Sequence, residues 1–402
     1  MFELKPMLSA LWRNKVSALL IALQLALTLA IVSNATVIVK DRMEKVARPT
    51  GMDVENIIAA TYMPIPTDYD MAGAVIADLD LLRRTPGVLD ASVTNQIPLS
   101  GSGSAGTYFN EPNQEIGGEN ANYYQVDSHF IDTLGLNLIE GRNFTPADEH
   151  VVGPNDRHHS EVAVVSKQFA EKLFPGESAV GRFFYAGNSD QPVEIIGVVE
   201  QHLGAWPGWS RAGNVVFYPL LVTDNHKRYL IRTEPGQRDA VLKEVEELLN
   251  NRDPQRVVQV ETLSKNLERT YIGDNVMIKV LSLVMALLTF IVALGIIGLT
   301  IFWINQRTKQ IGIRRALGAT RANISRYFLV ENSLIAGTGL VLGTAGALII
   351  NRLMVSEFSQ PTLTLPLLAV CAIVLLLVSI TAALMPAMRA ANVSPAMATR
   401  SV

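Results

Sequence analysis

The chain has 402 residues, a formal net charge of −3 and a hydrophobic fraction of 49%. The length suits two or three ordinary domains. The charge supplies no overall basic surface of the kind a nucleic-acid binder needs, and the single cysteine, Cys371, excludes a disulfide within the chain.

The apolar residues are gathered into runs. Residues 1–15 form a short basic start with Lys5, Arg13 and Lys15, and residues 16–39 follow as 24 positions without a charge. As a helix such a run is about 36 Å long, enough to cross a hydrocarbon core of roughly 30 Å. It exceeds the roughly 7–15-residue apolar stretch of a signal peptide. Ser33-Asn34-Ala35 also makes a poor cleavage site, so a retained anchor is expected. Ala18, Ala22, Ala26 and Ala30 repeat along the run at i, i+4 spacing, a stripe that lets another helix approach closely.

Residues 40–279 are polar, with a net charge of −12. Two strand–helix–strand patterns bracket a long middle. The first uses residues 54–62, 69–84 and 88–97; its helix has Met71, Val75, Leu79 and Leu82 at helical spacing and stops at Thr85-Pro86-Gly87. The second has strands at 228–232 and 256–260. Its helix opens at Pro235-Gly236 and runs through Leu249, with Val241, Val245 and Leu248 on one face. Together they predict a split α+β part, about 53–104 and 226–263, with a β-rich insertion at about 105–225. Inside the insertion, β-branched runs at 161–165 and 193–199 flank a short helix at 166–174. A mostly polar helix at about 262–279 leads into the next apolar run, and as a continuous rod it would be a stiff connection to the membrane.

Residues 280–304 are 25 uncharged positions. A third span, 331–350, holds the 18-residue uncharged run from Ser333 to Ile350, with Gly339, Gly343 and Gly346. The fourth, 363–388, has Pro366 near its start and Pro386 near its end. Four such runs predict four membrane crossings rather than buried core helices. Between the second and third lies a loop, 305–330, whose stretch 306–328 carries Arg307, Lys309, Arg314, Arg315, Arg321 and Arg326 and no acid. Lysine and arginine collect in short cytoplasmic loops. Eleven lie in the first segment, this loop and the 389–402 tail, against Arg352 alone in the short loop 351–362. Both termini and the basic loop are therefore expected in the cytoplasm and 40–279 outside. The expected fold class is an α-helical integral membrane protein with four transmembrane helices and a large α+β extracytoplasmic domain between the first and second.

Charge bias explains the sign of the basic loop but not its pattern. Ile311, Ile313, Leu317 and Ile324 interleave with the cations, and Gly312 and Gly318 are expected to break the segment into short helical pieces that dock on something. An anionic membrane surface is one partner; a protein is the sharper one.

Catalytic motifs are not found. Gly101-Ser102-Gly103-Ser104-Ala105-Gly106 has phosphate-loop glycine spacing, but Thr107 stands where a lysine is needed, so a flexible loop is expected. No G-x-S-x-G elbow occurs. Asp148, Glu149, His150, Asp156, His158, His159 and Glu161 are metal-ligating types at spacings that match no metal site, and a solvated loop is expected. Trp206-Pro207-Gly208-Trp209 is either a packed corner or a contact surface. No catalytic, metal or cofactor-binding residue is assigned.

The run Gln310-Ile-Gly-Ile-Arg-Arg-Ala-Leu-Gly-Ala319, followed by Phe328-Leu-Val-Glu331, resembles the cytoplasmic loop of the FtsX/MacB-like ABC transporter permeases. Pro386-Ala-Met-Arg-Ala-Ala391 with Ser394-Pro395-Ala396 resembles that family's C-terminal motif. Val162 to Ser166, Leu173-Phe-Pro-Gly176, Val180-Gly181 and Ile195 to Val199 resemble its MacB-type periplasmic domain. The resemblance implies a permease of the bacterial inner membrane that works as a homo- or heterodimer. Its coupling loop would contact a separate cytoplasmic ATPase through Arg307, Lys309, Ile311, Ile313, Arg314, Arg315, Leu317 and Arg321. No Walker lysine or signature motif occurs in this sequence, so the chain is not expected to be an enzyme, and ATP would be used by the partner subunit. The motion would pass to the outer domain for export or extraction of a substrate, with a periplasmic adaptor or outer-membrane component as a further partner. The alternative is a transmembrane regulator that activates an extracytoplasmic enzyme through the same coupling. A membrane-anchored enzyme is the third option, disfavoured by the missing motifs. The small-residue stripes Ala18, Ala22, Ala26, Ala30 and Gly339, Gly343, Gly346 would pack within the chain or against a second copy.

Overall fold

A computed structural model describes residues 15–65, 69–153, 159–187, 189–223 and 226–392. The chain divides into two compact units. One combines the residues up to Val46 with those from Asp274 onward, and the other is Ala47–Gly273.

Helix α1 spans Lys15–Val46. The Ala47–Gly273 unit then begins with β1 (Ile57–Pro64), α2 (Met71–Arg83) and β2 (Val88–Thr94). The Asp70 side chain caps α2 by accepting the Gly73 N–H at 3.1 Å, and Met71, Val75, Leu79 and Leu82 form its buried face. Past Arg83 the chain turns through Gly87 at φ +82°, a conformation glycine adopts freely. The insertion supplies β3 (Ala105–Phe109), β4 (Glu119–Gln125), α3 (Phe130–Thr133), β5 (Leu138–Gly141), β6 (His150–Val152), β7 (Val162–Ser166), α4 (Lys167–Leu173), β8 (Phe183–Ala186), β9 (Val193–Val199), β10 (Val215–Tyr218) and β11 (Leu220–Val222). The second half of the split part follows as β12 (Lys227–Thr233), α5 (Arg238–Arg252), β13 (Arg256–Thr262) and α6 (Leu263–Thr270).

The two halves recombine into one antiparallel sheet of order β13-β1-β12-β2. Each strand–helix–strand unit straddles a strand of the other, the ferredoxin-like arrangement. Neither half has a complete sheet, so the insertion must return the chain before the core can close. Strands β6 and β11 pair as a small separate sheet, while a seven-stranded sheet has the order β5-β9-β7-β10-β4-β3-β8, and a further β8–β9 pairing closes six of its strands into a ring. Strand alternation feeds two cores from it. Val164, Ile196 and Phe217 pack with Ile57, Ala59 and Leu230 of the first sheet, while their neighbours Val165, Ile195 and Val216 pack with Phe169 and Leu173 of α4. On the far side of the first sheet, Ile58, Ala60, Tyr229 and Ile231 meet α2 and α5.

The remaining unit joins α1 to α7 (Ile272–Gln306), α8 (Thr308–Ala316), α9 (Arg321–Phe358) and α10 (Leu365–Ala391). Helices α1, α7, α9 and α10 are each long and apolar enough to cross a membrane. The fold class is thus the expected one, four such helices with a large α+β unit between the first and second. The small-residue stripes meet each other inside the chain. A Cβ added to Gly339 would lie 2.6 Å from the Ala22 carbonyl oxygen, and one added to Gly343 would lie 2.8 Å from that of Ala26. Gly346 faces the Cβ of Ala30 more loosely, at 3.7 Å, and Ala18 packs beside Ile21 and Ala22 in the neighbouring cluster. Polar side chains add specific ties. Asn351 donates to Asn34 Oδ1 at 3.1 Å and accepts the Leu363 N–H at 2.9 Å, and Asn332 donates to the Ser379 hydroxyl at 2.9 Å.

Three expectations change. The helix at 262–279 is not continuous: α6 ends at Thr270, Tyr271 lies between as its cap, its N–H bonding back to the Leu267 carbonyl, and α7 starts at Ile272. Gly312 does not break its helix; it is buried inside α8. The glycine-rich 101–106 segment is not a loose loop. Ala105 and Gly106 belong to β3, and a Cβ on Gly103 would collide with the Gln96 amide and the Ala205 methyl.

Candidate functional site

The basic segment between the second and third apolar helices is a built element. Helix α7 ends at Gln306, Arg307 is the joint, and α8 begins at Thr308. Gly318 at φ +98° ends α8, a position where any other residue would be strained. The Thr320 hydroxyl then accepts the Asn323 N–H at 3.2 Å and caps α9, which runs unbroken to Phe358.

One side of α8 is anchored. Ile311 packs with Ile304, Ile324, Phe328, Ala387, Ala390 and Ala391 from α7, α9 and α10. Arg307 Nη1 donates to both carboxylate oxygens of Glu331, at 3.0 and 3.1 Å, and Glu331 is only 1% exposed. Arg315 donates to the Ala319 carbonyl at 3.1 Å and braces the turn after α8. The Arg314 guanidinium lies over the Tyr327 ring, 4.8 Å from its centroid.

The opposite side makes no packing contact with the described residues. Ile313 is 50% exposed and Leu317 84% exposed, with Lys309 and Arg321 also on the surface. The residues singled out in the sequence therefore fall into two groups. Ile313, Leu317, Lys309 and Arg321 are presented outward. Ile311 is buried, packed on the apolar helices of its own chain. The Arg307–Glu331 pair was not foreseen. Its signal was a lone acid at the edge of an apolar run, which has to find a partner.

Elsewhere the polar clusters are structural. Asp148 accepts two bonds from Arg142, at 2.7 and 2.9 Å, and bonds from the Thr145 N–H and hydroxyl. The Arg142 guanidinium holds its carboxyl well below the usual range. Glu149 accepts the Ser128 N–H, and His150 lies in β6 rather than in a loop. Asp156 and His158 lie outside the described residues. Among the described residues no group of three or more histidines, cysteines and carboxylates is placed to hold a metal. Trp206 and Trp209 meet edge to face, with ring centroids 6.1 Å apart, as a packed corner.

Four apolar helices, a large α+β unit between the first two and a docked basic helix between the second and third define a membrane permease. Family models agree with each part: the MacB-like periplasmic core domain matches residues 18–248 and the FtsX-like permease C-terminal region matches residues 282–395. The chain belongs to this family of ABC transporter permeases. It is 26% identical to the macrolide export ATP-binding/permease protein MacB of Chromobacterium violaceum over 69% of its own length and 42% of that protein. It is 26% identical to the uncharacterized ABC transporter permease YknZ of Bacillus subtilis, over 72% of this chain and 70% of that one. The crystal structure of the periplasmic region of MacB from Actinobacillus actinomycetemcomitans aligns over 54% of this chain and 92% of that one, at 16% identity and a TM-score of 0.35. The chain spans less than half the length of the MacB relative.

Proposed function

We propose that this chain is the transmembrane subunit of an ATP-driven exporter or extractor, worked by a separate cytoplasmic ATPase that docks on the outward side of α8. The observation that carries this reading is the division of α8. One side is locked to three apolar helices by Ile311 and by the flanking Arg307–Glu331 pair, and the other offers Ile313 and Leu317 among cations. Ile313 and Leu317 together present an apolar surface among cations, which supports a docking contact there. A push on α8 reaches α7 and α9 through the Arg307 joint and the Thr320 cap without first deforming a loose loop. Cation bias supports an orientation with α8 and both termini in the cytoplasm and the Ala47–Gly273 unit outside. The permease would act as a pair, with itself or a related chain. The export named for the MacB relative supports movement of a substrate.

The test is a mild-detergent pull-down of the tagged chain from its native membrane, with mass spectrometry and an ATPase assay. The expected result is a co-purified ATPase that is lost when Ile313 and Leu317 are changed to Asp and kept when Gly298, a position with open space around it, is changed to Ala. Failure to recover an ATPase from a folded preparation would overturn the reading.

A further inference from the structure

A shallow surface pocket opens between α8 and α9. Its polar wall is Arg307, Gln310, Arg314 and Tyr327, and Ile311 and Phe328 lie beneath. The two arginines differ in their commitments. Arg307 is charge-balanced by the buried Glu331. Arg314 makes no hydrogen bond or ion pair with any described residue; it is exposed and stacked on the Tyr327 ring. Stacking fixes the plane of a guanidinium while leaving its N–H donors at the edge, the geometry that receives a phosphate through paired bonds.

The level of the pocket points to the kind of phosphate. Arg307 is the first charged residue after the uncharged stretch that starts at Val280. Phe302, five residues earlier, is exposed on the apolar helix α7. The cavity therefore sits where an apolar span gives way to charge, the level at which phospholipid phosphates lie. Apart from the committed Glu331, no acid occurs from residue 306 through residue 356, so the sequence around the pocket adds no further charge against an anion.

We propose that the Arg314 cavity is a binding site for a phosphate group, that of an anionic phospholipid headgroup. Arg314 supplies the fork, Tyr327 orients it, and the Gln310 amide is an added donor. This site lies beside the proposed ATPase contact and does not depend on it: the cavity wall is Arg314 and Tyr327, whereas the partner surface is Ile313 and Leu317.

The test is native mass spectrometry of the purified full chain with equal amounts of phosphatidylglycerol and phosphatidylcholine. Phosphatidylglycerol should be retained over phosphatidylcholine by about tenfold or more, the scale of one charge-assisted paired contact. Arg314→Gln should abolish the preference, while Lys309→Gln and Arg321→Gln, at exposed cations outside the cavity, should keep it. Thermal melts establish that each variant is folded. If Arg314→Gln does not fold, Tyr327→Leu, which removes the stack, and Arg314→Lys, which keeps the charge but loses the fork, should each reduce the preference. Addition of millimolar inorganic phosphate separates the sources: displacement of the lipid assigns the site to free phosphate, and retention assigns it to the headgroup. Equal retention of the two lipids, or equal losses in Arg314→Gln, Lys309→Gln and Arg321→Gln, would overturn the proposal in favour of diffuse surface charge.

Discussion

Gly339 lies directly against the backbone of Ala22: a Cβ at Gly339 would sit 3.0 Å from the Ala22 Cα and 2.6 Å from its carbonyl oxygen. One turn along, Gly343 meets Ala26 in the same way. The stripe of small residues on α9 is thus matched to the stripe on α1 inside one chain, and this face is not open to a second copy. In a membrane, where apolar burial alone does not drive association, such close backbone approach is a main source of helix packing. Gly339→Val and Gly343→Val should each destabilise the helical unit by about 1–3 kcal/mol, the cost of overpacking a tight contact. Gly337→Val and Gly298→Val, at positions with no neighbour within 4 Å, are the controls. Denaturation in mixed micelles would read the difference. Equal losses at all four glycines would remove the argument.

The Arg307–Glu331 pair ties the start of α8 to α9 with both partners largely out of water. Removing one partner leaves a buried charge uncompensated, which costs about 3–5 kcal/mol, whereas replacing both with apolar residues of similar size is often close to neutral. Arg307→Met and Glu331→Gln should each lower the melting temperature of the purified chain strongly. Arg307→Met with Glu331→Met should restore most of the loss. A double variant as unstable as the sum of the singles would show that the two residues act separately.

Much of the architecture is legible in the sequence because it is written in long patterns. Uncharged runs mark the four apolar helices, and the paired strand–helix–strand signals at either end of the outer segment mark a split domain even though 130 residues separate them. Single positions are less legible. Gly312 reads as a helix breaker, yet it lies buried within α8, so the tertiary setting overrides its low propensity. The polar stretch 262–279 reads as one helix; the break falls at Tyr271, two residues before Gly273, whose position inside the polar run does not by itself announce a boundary. Hydrophobicity picks out Ile311, Ile313 and Leu317 equally; only the three-dimensional packing shows that the first faces inward and the others outward.

Asp78 joins the two halves of the split domain. It lies on α2, and it accepts from Arg256 on β13, 178 residues later, through both oxygens, with Arg252 at 3.1 Å and the Tyr229 hydroxyl at 2.9 Å. Asp78 and Arg256 are both buried. Asp78→Ala would strand the Arg256 charge and remove the acceptor for Tyr229, so a loss of about 3–5 kcal/mol is expected. Urea denaturation followed by the emission of Trp206 and Trp209 would measure it. A loss under about 1 kcal/mol, the range of an exposed pair, would mean that water reaches the cluster.

His202 gives the outer unit a dependence on acid. Its ring is fully buried, lies 5.2 Å from both Tyr124 and Phe217, and has no hydrogen-bond partner at either nitrogen. Burial among these rings pushes its pKa down to about 3. An unfolded histidine titrates near 6.5, so below that pH the unfolded chain takes up a proton that the folded chain refuses. Stability is therefore full above about pH 6.5 and falls as the pH drops toward 3, at up to about 1.4 kcal/mol per pH unit. Asp127 works the other way. Burial pushes its carboxyl up to about 6, against the lowering effects of Ser92 and Arg83, so the folded state holds a proton that the unfolded state has released, and that contribution is lost as the pH rises through 6. The two slopes oppose each other between about pH 4 and 6 and flatten the native profile. His202→Leu removes one of them. Relative to the native chain, the variant should gain roughly 2 kcal/mol on going from pH 7.5 to pH 5. Denaturation curves at the two pH values give this difference directly, free of any pH-independent effect of the leucine. Parallel stability profiles for the native chain and the variant would mean that His202 titrates in the fold as it does in the unfolded chain, and the aromatic pocket would then have to be open to water.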